Sequence, residues 1–356
     1  MASHGSSFQK IFMGAAGGSA DSSALAVAHK GSPYVAAYPW SESGFGSKHS
    51  NPSTLPAGDG SGVAFTSDGS AIAVAHESSP YVSAYPWSGS GFGSKYSNPS
   101  TLPSDECFKV AFSPDDSALA LAHTGSPYVA AYPWSGSGFG SKYSNPSALP
   151  YNTAYGVAFS PNGSAIAVVL QGAYGYTNPP LIDVYQWSGS GFGSKYSYPS
   201  TGPAGTYSLD VAFSPNSSAI AICHAASPYL TVYAWSGSGF GSKYSNPSTL
   251  PAGAGNGVAF SPNGSTIAVV HNASPRISAY PWSGSGFGSK YSDPSTDIPG
   301  AAFSVAFSPD DSAIAVAHDN EPYLSAYPWS GSGFGSKYSN PSTIPNDRSI
   351  DIAFSV

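Results

Sequence analysis

An all-β fold is predicted, a closed ring of four-stranded antiparallel units, and three observations predict it. Seven tryptophans recur through the 356-residue chain, Trp40, Trp87, Trp134, Trp187, Trp235, Trp282 and Trp329, at spacings of 47, 47, 53, 48, 47 and 47 residues. Nearly the same text surrounds each one, typified by SAIAVAHESSPYVSAYPWSGSGFGSKYSNPS at residues 70–100. Each copy holds short apolar runs between turn signals. A repeat of this length is one supersecondary unit that buries its apolar faces only by stacking on its neighbours. Seven such units of four strands make a seven-bladed β-propeller.

The second copy shows the elements in order. Residues 62–65 (GVAF) form a short apolar strand. TSDGS follows, with Asp68-Gly69 at a tight turn that needs the positive φ an Asx-Gly pair supplies. Residues 71–76 (AIAVAH) form a second strand, apolar on both faces and therefore buried on both. A turn at Glu77–Pro80 leads to a third strand at 81–87 (YVSAYPW). SGSG then turns the chain into a fourth strand at 92–97 (FGSKYS), and a proline-rich exit leads to the next unit. Alanine is frequent because blades pack face to face, and the aromatic residues fill the widening space toward the rim.

VAFSPDD at 110–116 and VAFSPNG at 157–163, each followed by an apolar strand and an aromatic third strand, resemble the WD-repeat propellers. The resemblance covers almost the whole chain. It departs from the family in lacking the Trp-Asp pair and the preceding Gly-His pair. It implies the propeller fold, with turns alternating between two faces. The repeats are also similar to those of bacteriophage-encoded proteins.

Counting predicts how the ring closes. The first repeat, opening at 24–29, lacks its own first strand, while DIAFSV at 351–356 has no second strand after it. The C-terminal strand is expected to complete the first blade and remove the open edge. Residues 1–20 are then an N-terminal arm and 21–356 a single propeller.

Composition narrows the function classes. Charged residues make up 9% of the chain against about 25% in ordinary proteins. The net charge is −7, which argues against a nucleic-acid partner. Lys48, Lys95, Lys142, Lys195, Lys243, Lys290 and Lys337 form a ring at one repeat position, where charge protects outer strands from edge pairing. Cys107 and Cys223 lie in different repeats and predict no bridge. No clear signal peptide and no run of about 20 apolar residues is present. A soluble protein is expected, in a virion-associated or extracellular setting.

Turns on one face are nearly invariant among the copies, whereas the inter-blade stretches and second-to-third turns vary. Variable loops on a rigid scaffold carry recognition. Phe108, Tyr151, Tyr155, Tyr174, Tyr176, Tyr207 and Phe303 are the candidate ligand-binding aromatics; drift in tolerant loops explains the same variation without a ligand. The seven tryptophans are the alternative, stacking on sugars at equivalent sites in each blade, set against the plainer role of packed core. His29, His76, His123, His224, His271 and His318 end second strands one per blade, too far apart to close a metal site, and are read as structural. GSGFGSK lacks the order of a phosphate loop and is read as a hairpin turn. No nucleophile stands beside a carboxylate. The expectation is a non-enzymatic recognition or scaffold module, binding a protein or surface glycan through its variable loops, with no cofactor and no metal. A multivalent lectin is the alternative.

Overall fold

The computed structural model describes residues 23–172 and 180–356. The arm expected at 1–20 lies outside the described residues. Seven antiparallel sheets follow one another as blades, and among the described residues there is no helix. The first blade is built from both ends of the chain, in the order Ser349–Phe354, Ala24–His29, Val35–Ser41, Gly44–Phe45. Leu25 pairs with Phe354 and Val27 with Ile352. The ring is closed by the C-terminal strand, as the count of copies predicts.

Each second strand is buried at all six positions, as in Ala71–His76. Its alternation explains how the blades stack. Ala71, Ala73 and Ala75 face the next blade, where Leu119 and Leu121 fill the space the alanines leave. The same small-against-large pairing recurs around the ring, and it also joins the last blade to the first: Ala313, Ala315 and Ala317 pack on Leu25 and Val27. An added side chain on the alanine face has nowhere to go. Ala120→Leu, which would press on Ile166 and Val168, is expected to cost about 1–3 kcal/mol. Calorimetry should register this as a melting point lowered by a few degrees.

The fourth strand is shorter than the repeat suggests in most blades. Among the described residues, four-residue outer strands occur only at Phe192–Lys195 and Phe240–Lys243, and the others shrink to two residues at Gly44–Phe45 or to a single bridge such as Trp87↔Phe92. One residue of the third strand accounts for this. The N–H of Trp187 donates back to Ser164 O, so the N–H of residue 186 faces the outer strand. That residue is Gln186 in one long-stranded blade and Ala234 in the other, but Pro39, Pro86, Pro133, Pro281 or Pro328 elsewhere. Proline has no N–H to offer the outer strand.

The tryptophans are packed core. They are 3–6% exposed. Trp40 meets Phe45, Phe354 and, from the neighbouring blade, Tyr338 edge to face, with centroids 5.1–5.3 Å apart. Three rings crowd each indole in this way, and no face is left for a sugar. Behind them, the fully buried Tyr38, Tyr85, Tyr132, Tyr185, Tyr233, Tyr280 and Tyr327 tie the blades to the inter-blade segments. The Tyr85 hydroxyl, for example, donates to Thr54 O at 2.8 Å.

The histidines are fully buried at the ends of their strands. In four blades Nε2 shares a hydrogen bond with a third-strand hydroxyl: His76 with Ser83, His224 with Thr231, His271 with Ser278 and His318 with Ser325, at 2.9–3.1 Å. His29 and His123 face Ala36 and Ala130 instead, and their Nε2 atoms have no partner. The fourth blade replaces the pair altogether. Leu170 stands for the histidine, and Asp183 stands for the serine and pairs with Lys195 at 2.6 Å.

Candidate active site

The first strands line the axis of the ring. Aligned on their shared ending, they read GSGVAF, CFKVAF, AYGVAF, SLDVAF, GNGVAF, AFSVAF and SIDIAF. The last three positions hardly change, while the second and third differ from each blade to the next. The third position is Gly62, Lys109, Gly156, Asp210, Gly257, Ser304 and Asp351 in ring order. Glycine alternates with a functional side chain through most of the circle, and sterics explain why. A Cβ on Gly62 would stand 2.9 Å from Lys109 Cα, and one on Gly257 would stand 2.7 Å from Phe303 O. The glycines let inner strands close up on strands that carry long side chains, so those side chains have room to converge.

They converge on a single ionic group. Lys109 Nζ lies 2.7 Å from Asp351 Oδ1 and 3.9 Å from Asp210 Oδ1. The Ser304 hydroxyl donates to Asp351 Oδ1 at 2.7 Å, and the Val63 N–H donates to Oδ2 at 3.0 Å. Asp210 Oδ2 accepts from the Val258 N–H at 3.1 Å. Backbone donors from neighbouring blades thus hold both carboxylates, leaving Asp210 Oδ1 turned toward the ammonium. Burial pulls the Lys109 ammonium toward neutrality, but Asp210 and Asp351 outweigh it and hold the group above its usual range. Burial also raises the Asp210 carboxyl, against the pull of Lys109.

Above this group opens a cavity of about 340 Å³ on the face that carries the inter-blade segments. Second-position side chains form its wall, among them Ser61, Phe108, Tyr155, Asn256 and Phe303, with Lys30 and Arg348 at the rim. Below it a second cavity of about 340 Å³ runs down the axis between the alanines and phenylalanines of the strand ends. Lys109, Asp210 and Ser304 border both spaces and divide them.

Of the candidate aromatics, Phe108, Tyr155 and Phe303 line the upper cavity. They sit within strands, not in loops, because the inner strand starts earlier than its apolar ending suggests. The Phe108 and Tyr155 rings are 5.2 Å apart, tilted by 45°. Tyr151 and Tyr207 stand away from the axis at the edge of the fourth blade, both 36% exposed, where the Tyr151 hydroxyl donates to Gln171 O. Tyr174 and Tyr176 lie outside the described residues. Sequence reasoning does not single out Lys109, Asp210 or Asp351. The signal was the residue just before each VAF or IAF, which is glycine, charged or, at Ser304, a hydroxyl, while the three residues after it hardly change. Among the described residues no cluster of three or more His, Cys, Asp or Glu is placed to hold a metal, and no helix is long and apolar enough to cross a membrane.

No family model and no curated protein matches the chain. Solved structures do. A protein of Bacteroides fragilis provisionally named a 6-phosphogluconolactonase superimposes with a TM-score of 0.71 at 10% identity, over 94% of this chain and 98% of its own. The periplasmic gluconolactonase of Pseudomonas aeruginosa gives 0.71 at 15% identity, over 94% and 99%. A Lactobacillus plantarum protein gives 0.71 at 12%, over 94% and 100%. At these identities the likeness shows the fold, a propeller of repeated blades. The expectations of a WD-repeat chain and a bacteriophage setting gain no support from it. The expected non-enzymatic recognition module, and with it the lectin alternative, is corrected here. Structures named as lactonases share the architecture, and the axis carries a partly buried carboxylate–ammonium group that no blade read separately assembles.

Proposed function

We propose that the chain is a hydrolase that opens small cyclic esters in the upper axial cavity. The observation that carries this is the meeting of Lys109, Asp210 and Asp351 at the floor of a concave pocket. A perturbed carboxylate beside a fixed cation in a cleft is the arrangement from which acid–base catalysis is built. The names of the structural relatives favour a lactone as the ester.

Each group has a role that its surroundings support. Asp210 is a stronger base than an exposed carboxylate because burial disfavours its charged form. Its Oδ1 takes a proton from water as the water oxygen bonds to the ester carbonyl carbon. Lys109, held by Asp351, presents a fixed positive charge to the oxyanion that develops. As the tetrahedral intermediate collapses, the bond from carbon to ring oxygen breaks. Asp210 returns its proton to that oxygen, and the product is a hydroxy acid. Asp351 positions Lys109, and Ser304 and the Val63 N–H fix Asp351 in turn.

Initial rates of lactone opening, followed by base uptake at constant pH, test this. Asp210→Asn is expected to lower kcat by about 10²–10⁴-fold with a small change in KM. Lys109→Met should lower kcat/KM by a comparable factor. Circular dichroism confirms that both variants fold. A wild-type rate equal to background for every lactone, or unchanged rates in folded variants, would sink the reading.

A further inference from the structure

The second-position ring says what kind of molecule the cavity accepts. In ring order it reads Ile350, Ser61, Phe108, Tyr155, Leu209, Asn256 and Phe303. Five of the seven are apolar or aromatic, and all five are only partly buried. Elsewhere large apolar side chains are mostly covered, and the surface is wetted by Ser, Gly and Asn. A concave apolar wall open to solvent marks a place for an apolar ligand surface. Phe108 and Tyr155 come from adjacent blades and stand in contact, tilted by 45°, an aromatic wall on which a flat ring can pack. A polyol would find few hydrogen-bonding partners along this wall, since only Ser61 and Asn256 carry polar side chains at these positions apart from the Tyr155 hydroxyl, and the Asn256 amide is committed to Ala302 O at 2.7 Å.

The charges argue the same way against an anionic substrate. Lys109 between two aspartates leaves the floor with one net negative charge. At the rim Lys30 is taken by Glu77. Glu106, within electrostatic reach of Tyr155, also stands near Glu77 and Asp105. Arg348 alone among the lining cations makes no ion pair among the described residues, and Asp347 precedes it. A phosphate entering here would meet more carboxylates than free cations.

We propose that the cavity takes an uncharged cyclic ester bearing a flat apolar ring, an aryl lactone, in preference to a phosphorylated or polyhydroxylated one. The proposal rests on the hydrolase reading for its chemistry and on the wall for its selectivity, and the two fail separately. With dihydrocoumarin, glucono-1,5-lactone and the 6-phosphate of the latter as substrates, kcat/KM is expected to be about 100-fold higher for dihydrocoumarin. Phe108→Ser, which copies the residue of the second blade, should narrow that ratio about tenfold in a protein with an unchanged melting point. A sugar lactone leading the series, or a ratio that Phe108→Ser does not move, overturns the proposal. If no lactone is opened, the hydrolase reading alone falls, and equilibrium binding decides the selectivity. Coumarin binding about tenfold tighter than gluconate and 6-phosphogluconate, and weakened by Phe108→Ser, upholds it; the reverse order, or no effect of the variant, overturns it.

Discussion

Removing residues 349–356 is expected to abolish cooperative folding of the whole ring, not merely to fray one edge. The strand Ser349–Phe354 pairs along Ala24–His29 and supplies the inner wall of the first blade. Its loss uncovers one side of a fully buried strand, with Leu25 and Val27 at the seam to the seventh blade. It also removes the Ser355 hydroxyl and N–H, which bond to Ala24 N and O at 2.7 and 2.8 Å. Ile352 leaves the core of the same seam. An exposed apolar edge of this kind recruits other chains. The truncated protein should lose its sharp calorimetric transition and elute as aggregate. Adding the strand back as a peptide should restore part of the transition, because the missing piece is an element of structure and not a folding signal. A truncated chain that melts like the intact one would show that the blades do not depend on closure.

Acidification should unfold the protein through its buried histidines. His76, His123, His224, His271 and His318 have pKa values lowered to about 4 by burial, and His29 is lowered by the same cause. The neutral imidazoles belong to the folded state. Above pH about 6.5 neither state binds the proton and the full stability is present. Between about 6.5 and 4 the unfolded chain takes up protons that the folded chain refuses, so stability falls as pH falls through that window. For the five lowered to about 4, each shift corresponds to about 3 kcal/mol. Several together rival the roughly 5–15 kcal/mol that holds a typical domain. The melting point should therefore drop by tens of degrees between pH 7 and pH 4.5. His123→Leu gives the control. Leucine already occupies this place in the fourth blade as Leu170, and His123 faces Ala130, so no third-strand hydroxyl is orphaned. That variant should bind about one proton fewer on unfolding and survive to lower pH. A melting point flat from pH 7 to 4.5 would rule out the histidines as the acid-sensitive element.

The blade was legible residue by residue because its information is local. Asx turns, glycine hairpins and six-residue apolar runs are each set by their own few neighbours, and seven copies display which positions tolerate change. The same approach missed the shortened outer strands. They depend on a single N–H that proline at residue 86 and its equivalents lacks, and Gln186 and Ala234 show the contrast only once the direction of that N–H is known. Three of the candidate aromatics, Phe108, Tyr155 and Phe303, do meet at the axial cavity, although they were read as loop residues. Lys109, Asp210 and Asp351 were not gathered into a site at all.

The number of blades, their strand order and their closure by the end of the chain follow from the sequence, because periodicity and turn chemistry are properties of contiguous residues. Only the tertiary structure decided which side chains meet at the axis. Lys109 and Asp351 are 242 residues apart and touch because the ring brings every first strand to one axis. A repeat read by itself holds one charged side chain, or none, at that position. It takes the circle, with glycines at Gly62, Gly156 and Gly257 making room between the charged strands, to bring those single charges into one ionic group.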